Sequence, residues 1–290
     1  MTTLGVVFLP QLPPSRLRAV AQAADAAGLE ELWLWEDCFR ESGVATAAAA
    51  LAWTDRLRLG IGLLPVPLRN VALTAMEVAT LGELFPGRVS VGLGHGVQDW
   101  MAQVGARVES PLTLLREHLI NLAALLGGDE VTSAGRYVSL NRVRLDWPPT
   151  TPPMLLAGAT GPKTLRLSGS LADGTIITAS TSPDGVRDAV ARINEGRASA
   201  ARNRPHAVVV YVLAATGPGA QERIDRAQRE SRDDLDRQCR AAGDADDVAR
   251  AVTRWADAGA TTVVLQPTPD DPDPEGFVRF VAQEVRPLVA

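Results

Sequence analysis

The chain alternates short apolar segments with longer helical segments over most of its length, and this alternation is the feature that most limits its fold. Eight apolar segments have the length of buried strands, and most end at glycine, proline or a polar cluster. They are residues 4–9, 32–35, 57–64, 88–93, 154–157, 175–178, 207–214 and 261–265. Eight strand–helix repeats predict an α/β fold, a (β/α)8 TIM barrel. A doubly wound parallel sheet shows the same alternation and is the competing interpretation.

The alternation pauses between residues 129 and 153. Residues 131–138 and 143–147 predict short strands, and a proline-rich run closes the segment. We interpret residues 129–153 as an insertion after the fourth helix, packed over a single barrel domain that spans residues 1–290. The charged segment 219–242 predicts a helix with a solvated face.

Composition excludes several classes of function. A net charge of −5 and a pI near 5.3 argue against general binding to nucleic acid or to an anionic membrane. We see no signal peptide and no apolar run near the roughly 20 residues of a spanning helix. Cys38 and Cys239 lack a paired spacing, which argues against a disulfide or a cysteine metal site. We therefore expect a soluble cytoplasmic protein that acts on a small molecule.

A glycine turn follows the fifth predicted strand. Gly158 begins a run of small residues that leads into a helix with Pro162 at its first position. Amide groups at the start of a helix are free to bind an anion, so this turn is a candidate phosphate site. Lys163 is the only lysine of the chain and lies in the same first turn. The alternative is that the small residues serve only to connect strand and helix.

Barrel enzymes carry their active sites at the carboxyl ends of the strands, which selects further candidates. His95 lies between two glycines just after the fourth strand, where it could exchange a proton or hold its loop by bonding a backbone carbonyl. Glu36 and Asp37 follow the second strand, and adjacent residues point to opposite sides, so we expect one of them to face the barrel mouth. Cys38 could form a thiolate pair with His95 or be a small packed residue.

Two other kinds of site are weakly supported. His95, Asp37 and Glu36 could meet in space, but no His-x-His or His-x-x-x-His spacing indicates a metal site, and none is predicted. No Gly-x-Ser-x-Gly motif indicates a nucleophilic serine. Trp35, Pro65 and Trp100 instead offer flat apolar surface suited to a planar ring. Trp33 and Trp35 share one strand face, so at least one of them is expected in the core.

Four blocks of sequence carry a resemblance to a known family. They are LWLWEDCF, GIGLLPVPLRN with the following TAMEVATLGELFPGR, VSVGLGHGVQDWMAQVGAR and GATGPKTLRLSGSLADG. With these blocks the chain resembles the bacterial luciferase-like superfamily of flavin- or F420-dependent oxidoreductases, and most closely its methylenetetrahydromethanopterin reductase-like branch. The resemblance covers nearly the full length and implies a (β/α)8 barrel with an insertion in the middle.

The resemblance also implies roles for particular residues. The glycine turn would hold the phosphate-bearing tail of the cofactor, and Thr178 would contact it. A non-proline cis peptide in a bulge of the third strand, at Gly62-Leu63, would lie behind the cofactor ring. Asp37 matches an acidic position near the ring, and His95 matches a position where relatives place a protonatable residue. The implied turn residues are Gly158, Ala159, Thr160, Gly161, Pro162 and Lys163.

The leading hypothesis is an oxidoreductase that transfers a hydride between coenzyme F420 and a small organic substrate. His95 would supply or accept a proton, Asp37 would polarise the ring or substrate, and Trp35, Cys38, Pro65 and Trp100 would line the substrate pocket. Some relatives have histidine where this chain has Cys38, which shifts proton transfer to His95. The alternatives are an FMN-dependent monooxygenase, a non-catalytic flavin-binding barrel and a metal-dependent hydrolase. A homodimer through helices 44–53 and 71–84 is the family-like expectation.

Overall fold

The computed structural model describes residues 2–230 and 239–289 and contains a closed parallel barrel. In chain order, the strands are β1 (Thr3–Phe8), β2 (Glu31–Leu34), β3 (Arg58–Pro65), β4 (Val89–Gly94), β5 (Val131–Ala134), β6 (Ser139–Val143), β7 (Met154–Gly158), β8 (Gly174–Ile177), β9 (Ala207–Thr216), β10 (Arg240–Gly243) and β11 (Thr262–Pro267). All except β5, β6 and β10 form the barrel wall, which the parallel pairing of β8 with β9 closes. The predicted TIM barrel is therefore confirmed, because a doubly wound sheet would leave these edges open.

Helices follow the barrel strands and cover the outside of the wall. They are α1 (Leu17–Ala27), α2 (Gly43–Ala52), α3 (Val71–Leu84), α4 (Gln98–Gln103), α5 (Pro111–Leu126), α6 (Pro162–Leu171), α7 (Pro183–Ser199), α8 (Ala220–Glu230), α9 (Ala245–Asp257) and α10 (Pro274–Phe280). Local sequence explains several ends: Ser42 and Asn70 cap the starts of α2 and α3, and Gly28 ends α1 with φ 79°. No helix within the described residues is long and apolar enough to cross a bilayer.

The barrel interior is filled by large side chains that glycines on neighbouring strands accommodate. Trp33 is 1% exposed, and a Cβ on Gly60 would collide with its indole ring. Around it lie the other buried residues of the interior: Val7, Leu9, Leu156, Ile176, Val209, Tyr211 and Val264. The prediction that at least one of Trp33 and Trp35 belongs to the core is thus confirmed for Trp33.

The insertion forms an antiparallel hairpin, but with different strands from those predicted. β5 ends at Ala134 and β6 begins at Ser139, so the predicted strands 131–138 and 143–147 are wrong in extent. The reason lies in α5. The Glu117 carboxylate accepts hydrogen bonds from the amides of Arg136, Tyr137 and Val138 at 2.8–2.9 Å, which turns these residues onto the helix instead of leaving them in a ladder.

The prediction of one helix over residues 219–242 is also wrong at its end. Helix α8 is described as far as Glu230, residues 231–238 lie outside the described residues, and Arg240–Gly243 is strand β10. β10 pairs with Leu213–Thr216 of β9, beyond the point where β8 ends. The unusual length of β9 therefore provides a partner for a strand that the charged sequence does not suggest.

Candidate active site

A cavity of about 440 Å3 opens at the carboxyl ends of the barrel strands, and we call it the mouth cavity. It brings together residues that the sequence predicted at the ends of five different strands. The predicted residues that line it are Trp35, Asp37, Gly62, Leu63, Pro65, His95, Trp100, Gly158, Ala159, Thr160 and Thr178. Glu36 also lines it, so that both Glu36 and Asp37 reach the cavity where only one was expected, and the residues without a prediction are Gly96, Val97, Thr164, Ile176 and Tyr211.

The Leu63 side chain lines the mouth cavity and packs against glycines of β4 and β7. The Gly62-Leu63 peptide bond is cis, and the pairing of β3 with β4 shifts register between Ile61 and Leu64. The bulge and the cis peptide thus occur where the resemblance implied. A Cβ on Gly94 or on Gly158 would collide with the Leu63 side chain, so both glycines are required for its position.

His95 is half-buried and is held by a single side-chain contact. Its Nε2 lies 3.2 Å from Thr164 Oγ1 in the first turn of α6, and its Nδ1 is buried without a hydrogen-bond partner in the described parts of the chain. Burial lowers the pKa of His95, while the backbone of Pro111 acts in the opposite direction. The amide of Gln98 donates to the His95 carbonyl at 3.2 Å, which steadies the loop.

Glu36 and Asp37 are neighbours with opposite environments, although both touch the mouth cavity. The Glu36 carboxylate accepts two hydrogen bonds from the Arg69 guanidinium, at 3.1 and 2.7 Å, and one from the Gly43 amide at 2.9 Å. The Asp37 carboxylate has no hydrogen-bond donor among the described residues. Burial raises the pKa of Asp37, and the charge of Arg40 opposes this. Glu36 therefore anchors structure, whereas Asp37 is available to a bound molecule.

Two aromatic residues line the inner part of the cavity. Trp35 and Tyr211 pack edge to face with ring centroids 5.5 Å apart, and Trp35 Nε1 is buried without an acceptor among the described residues. The Tyr211 hydroxyl donates to the Gly62 carbonyl at 3.3 Å, and burial raises the pKa of Tyr211. Tyr211 interrupts a run of valines in β9, which is the one sequence signal that could have identified it.

The remaining predicted residues lie outside the lining of the mouth cavity. Cys38 follows Asp37 in the turn after β2, and burial raises the pKa of its thiol, with Glu36 and Asp37 adding to the effect. Gly161, Pro162 and Lys163 form the start of α6, where Lys163 is exposed to solvent. Within the described residues, no three histidine, cysteine, aspartate or glutamate side chains are grouped so that they could hold a metal ion.

Comparison with known proteins agrees with this architecture. Residues 2–259 match the family described as luciferase-like monooxygenase. The chain is 31% identical to a 5,10-methylenetetrahydromethanopterin reductase of Methanolobus tindarius, over 69% of this chain and 61% of that protein. It is 26% identical to the enzyme of the same name from Archaeoglobus fulgidus, over 98% of both chains. An F420-dependent secondary alcohol dehydrogenase, solved with an F420-acetone adduct, has the same fold, with a TM-score of 0.88, 20% identity and coverage of 100% and 99%. The resemblance inferred from the four sequence blocks is confirmed.

Proposed function

We propose that this chain, which belongs to the luciferase-like monooxygenase family, is an oxidoreductase that transfers a hydride between coenzyme F420 and a small organic substrate. The observation that carries the proposal is the mouth cavity, which brings Asp37, His95 and Trp35 together with Leu63 at the strand ends. A mostly apolar cavity with a few polar groups is typical of a site that binds a small molecule. The F420-dependent secondary alcohol dehydrogenase of the same fold, solved with an F420-acetone adduct, supports F420 as that molecule.

The residues present fit a planar ring with an anionic tail. Gly62 and Leu63 line the cavity together with polar residues of the strand ends, Asp37, His95 and Thr178. Helix α6 begins after Gly161 and no side chain caps it, which leaves its first amides for an anion. The Ala159 amide is not one of them, since it donates to the Ile176 carbonyl at 3.1 Å. We therefore assign the tail to Gly161, Lys163 and the neighbouring turn, with Thr178 beside it.

The chain's own residues would orient the substrate and handle its proton. When bound, coenzyme F420 supplies a ring carbon, C5, that gives or accepts the hydride. Burial lowers the pKa of His95, which favours the neutral imidazole, and its Nδ1 would take the proton that an alcohol loses when it is oxidised and return it in the reverse direction. Thr164 holds the imidazole from its other nitrogen. Asp37 and the Trp35 indole would bind polar atoms of the substrate or the ring, and Pro65 and Trp100 would exclude water.

FMN is the alternative cofactor, and the name of the family favours a monooxygenase as the corresponding activity. The same cavity and the same helix start would serve its ring and its phosphate. In that case His95 and Asp37 would act beside a ring that reacts with oxygen. A barrel that binds either cofactor without turnover is the non-catalytic alternative.

Titration of the purified protein with F420 and, separately, with FMN tests the proposal. We expect F420 to saturate at the lower concentration, with a change in its absorbance and fluorescence. Bound F420 should then be reduced by at least one member of a panel of alcohols and reduced one-carbon carriers, or be oxidised by the corresponding acceptors. Tighter binding of FMN with oxygen consumption would favour the monooxygenase. Binding without turnover would favour the non-catalytic barrel, and binding of neither would overturn the proposal.

We further propose a cytoplasmic homodimer whose subunits are single barrel domains. Helix α3 supports this, because it exposes large apolar side chains along one side. Leu73 is 47%, Met76 is 58% and Leu84 is 65% exposed. Contiguous exposed apolar surface of this kind commonly marks an interface. Sedimentation equilibrium should give twice the chain mass, and a monomer at micromolar concentration would contradict the proposal.

A further inference from the structure

The mouth cavity is lined by two carboxylate residues and, within the described parts of the chain, by no lysine or arginine. The carboxylates belong to Glu36 and Asp37. The charge of Glu36 is compensated, because its carboxylate pairs with the Arg69 guanidinium at 2.7 Å. Arg69 also pairs with Glu77 and does not line the cavity. The charge that a bound molecule would meet is therefore that of Asp37.

The groups near Asp37 do not supply a positive charge to the cavity. Arg40 acts on the charge of Asp37, but its guanidinium donates to the Pro10 carbonyl at 3.1 Å and lies outside the lining. His95 does line the cavity, and burial lowers its pKa, which favours the neutral imidazole. An anion in this part of the cavity would thus have a carboxylate beside it and no cation to pair with among the described lining residues.

The lining contributed by the ends of β3 and β4 is apolar. It consists of Leu63 and Pro65 on one strand end and of Val97 and Trp100 after the other. Val97 is 41% exposed although it lines the cavity, so the apolar surface continues to the opening. Phe39, in the turn after β2, is 65% exposed. An apolar body gains free energy by covering such surface, whereas a charged group loses its hydration there.

Positive charge is found at the other end of the site, where the anionic tail of the cofactor is assigned. Lys163 lies in the first turn of α6 next to Thr164, which lines the cavity, but Lys163 itself is exposed and outside the lining. The start of a helix adds a further attraction for anions. The site therefore favours an anion at α6 and disfavours one beside Asp37.

We propose that the mouth cavity takes an uncharged substrate with an apolar body, such as an alcohol or ketone on a hydrocarbon ring, and rejects analogues that carry a carboxylate or phosphate. Beside Asp37 an anion would lose hydration and meet a like charge, whereas an uncharged molecule pays neither cost. This inference rests on the proposed function in taking the mouth cavity as the substrate site, and it adds the class of substrate.

Three cyclohexanols of similar shape test the proposal without a cofactor. They carry a methyl, a carboxamide or a carboxylate group at the carbon opposite the hydroxyl, and the last is ionised at neutral pH. In protein labelled with 15N-histidine, shifts of His95 report binding in the cavity, and His118 and His206, which do not line it, are the internal reference. We expect the methyl compound to bind most tightly, and the carboxylate to have a Kd about tenfold or more above that of the carboxamide. A carboxylate that binds as tightly as the carboxamide, a carboxamide that binds more tightly than the methyl compound, or a His95 resonance that none of them shifts would overturn the proposal.

Substitutions test whether the lining itself causes the rejection. Asp37→Asn removes the charge and keeps the shape, so the ratio of the two Kd values should fall about threefold or more. Val97→Lys places a cation at the opening and should lower the Kd of the carboxylate about fivefold or more. Val104→Lys adds the same charge just after α4, at a 45% exposed position outside the lining, and should leave that Kd within about twofold. An unchanged ratio in Asp37→Asn, or equal effects of the two lysines, would assign the rejection to the net charge of the chain and overturn the proposal.

Turnover with F420 separates a failure of this inference from a failure of the proposed function. We expect the methyl compound to reduce F420 and the carboxylate to reduce it with a kcat/KM lower by about tenfold or more. Equal kcat/KM values would overturn the substrate class and leave the hydride transfer standing. If the probes bind in the expected order but F420 does not bind, the substrate class stands and the cofactor assignment fails.

Discussion

His95 and His118 have almost the same hydrogen bonds but lie in different surroundings. In both, Nε2 contacts a threonine hydroxyl, at 3.2 and 3.4 Å, and Nδ1 is buried without a partner among the described residues. His95 follows strand β4 between two glycines and lines the mouth cavity. His118 lies in the middle of α5, with the charge of Arg69 beside it.

The difference shows that local bonding does not decide what a buried histidine does. A histidine that transfers protons must change its charge near the working pH. Burial alone lowers the pKa of His95, whereas Arg69 adds to burial at His118 and brings its pKa to about 4. Burial alone thus acts against the charged form of His95, whereas burial and Arg69 together favour a neutral His118 at neutral pH.

Replacement of His95 should produce the largest effect, and it tests whether this histidine transfers a proton. With His95→Ala we expect turnover to fall about 100-fold or more, because a positioned acid–base group contributes on the order of 10² to 10⁴. Cofactor affinity should remain nearly unchanged, as measured by titration. The control is His95→Gln, which can still bond Thr164 but cannot titrate. If that variant keeps full turnover, His95 only holds its loop.

Arg69 lowers the pKa of His118 but does not act on that of His95, and its removal should weaken the fold. The side chain is 11% exposed and joins Glu36 and Glu77. Arg69→Met leaves both carboxylates without their partner, so we expect the free energy of unfolding in urea to fall by about 3–5 kcal/mol. Arg187→Met removes an exposed ion pair with Asp184 and should cost less than about 1 kcal/mol. Equal losses for the two variants would show that the buried ion pairs of Arg69 stabilise the fold no more than an exposed ion pair does.

The pH dependence of stability tests whether the folded chain holds His118 neutral. Because the pKa of His118 is lower in the folded chain than its ordinary value of 6.5, its contribution is complete above pH 6.5 and is lost as the pH falls toward 4. The shift corresponds to about 3 kcal/mol. Urea unfolding between pH 7 and 4 should therefore show a loss smaller by that amount in His118→Phe than in the parent. Identical pH profiles would mean that His118 is not held neutral.

The barrel could be predicted because its signals are local. Apolar runs of strand length and their glycine or proline ends lie within a few residues of each other, and no distant contact is needed to interpret them. β10 and the limits of the hairpin depend instead on distant partners. β10 forms because β9 extends past β8, and the hairpin turns because Glu117 binds residues 136–138.

The same distinction holds for the candidate site. The strand-end rule identified Asp37, His95 and the glycine turn, because their positions follow from chain order in a barrel. Tyr211 was missed, since it lies within an apolar strand and approaches the cavity where Gly62 has no side chain. The contact of His118 with Thr74 could not be predicted, because the two residues lie on different helices and no local pattern connects them.

Replacement of Lys163 should give the smallest of these effects, and it tests whether the mouth cavity is a cofactor site. It lies next to Thr164, the partner of His95, in the first turn of α6. If that turn binds an anionic tail, Lys163→Ala should raise the Kd for F420 about tenfold, the range of one charge-assisted contact. Arg166→Ala removes another cation of α6, one that pairs with Glu195, and should leave the Kd for F420 within about twofold. If the Kd is unchanged in both variants, the backbone amides are the sole anion ligands of this helix. An equal rise in both variants would indicate long-range electrostatic attraction and not a contact of Lys163.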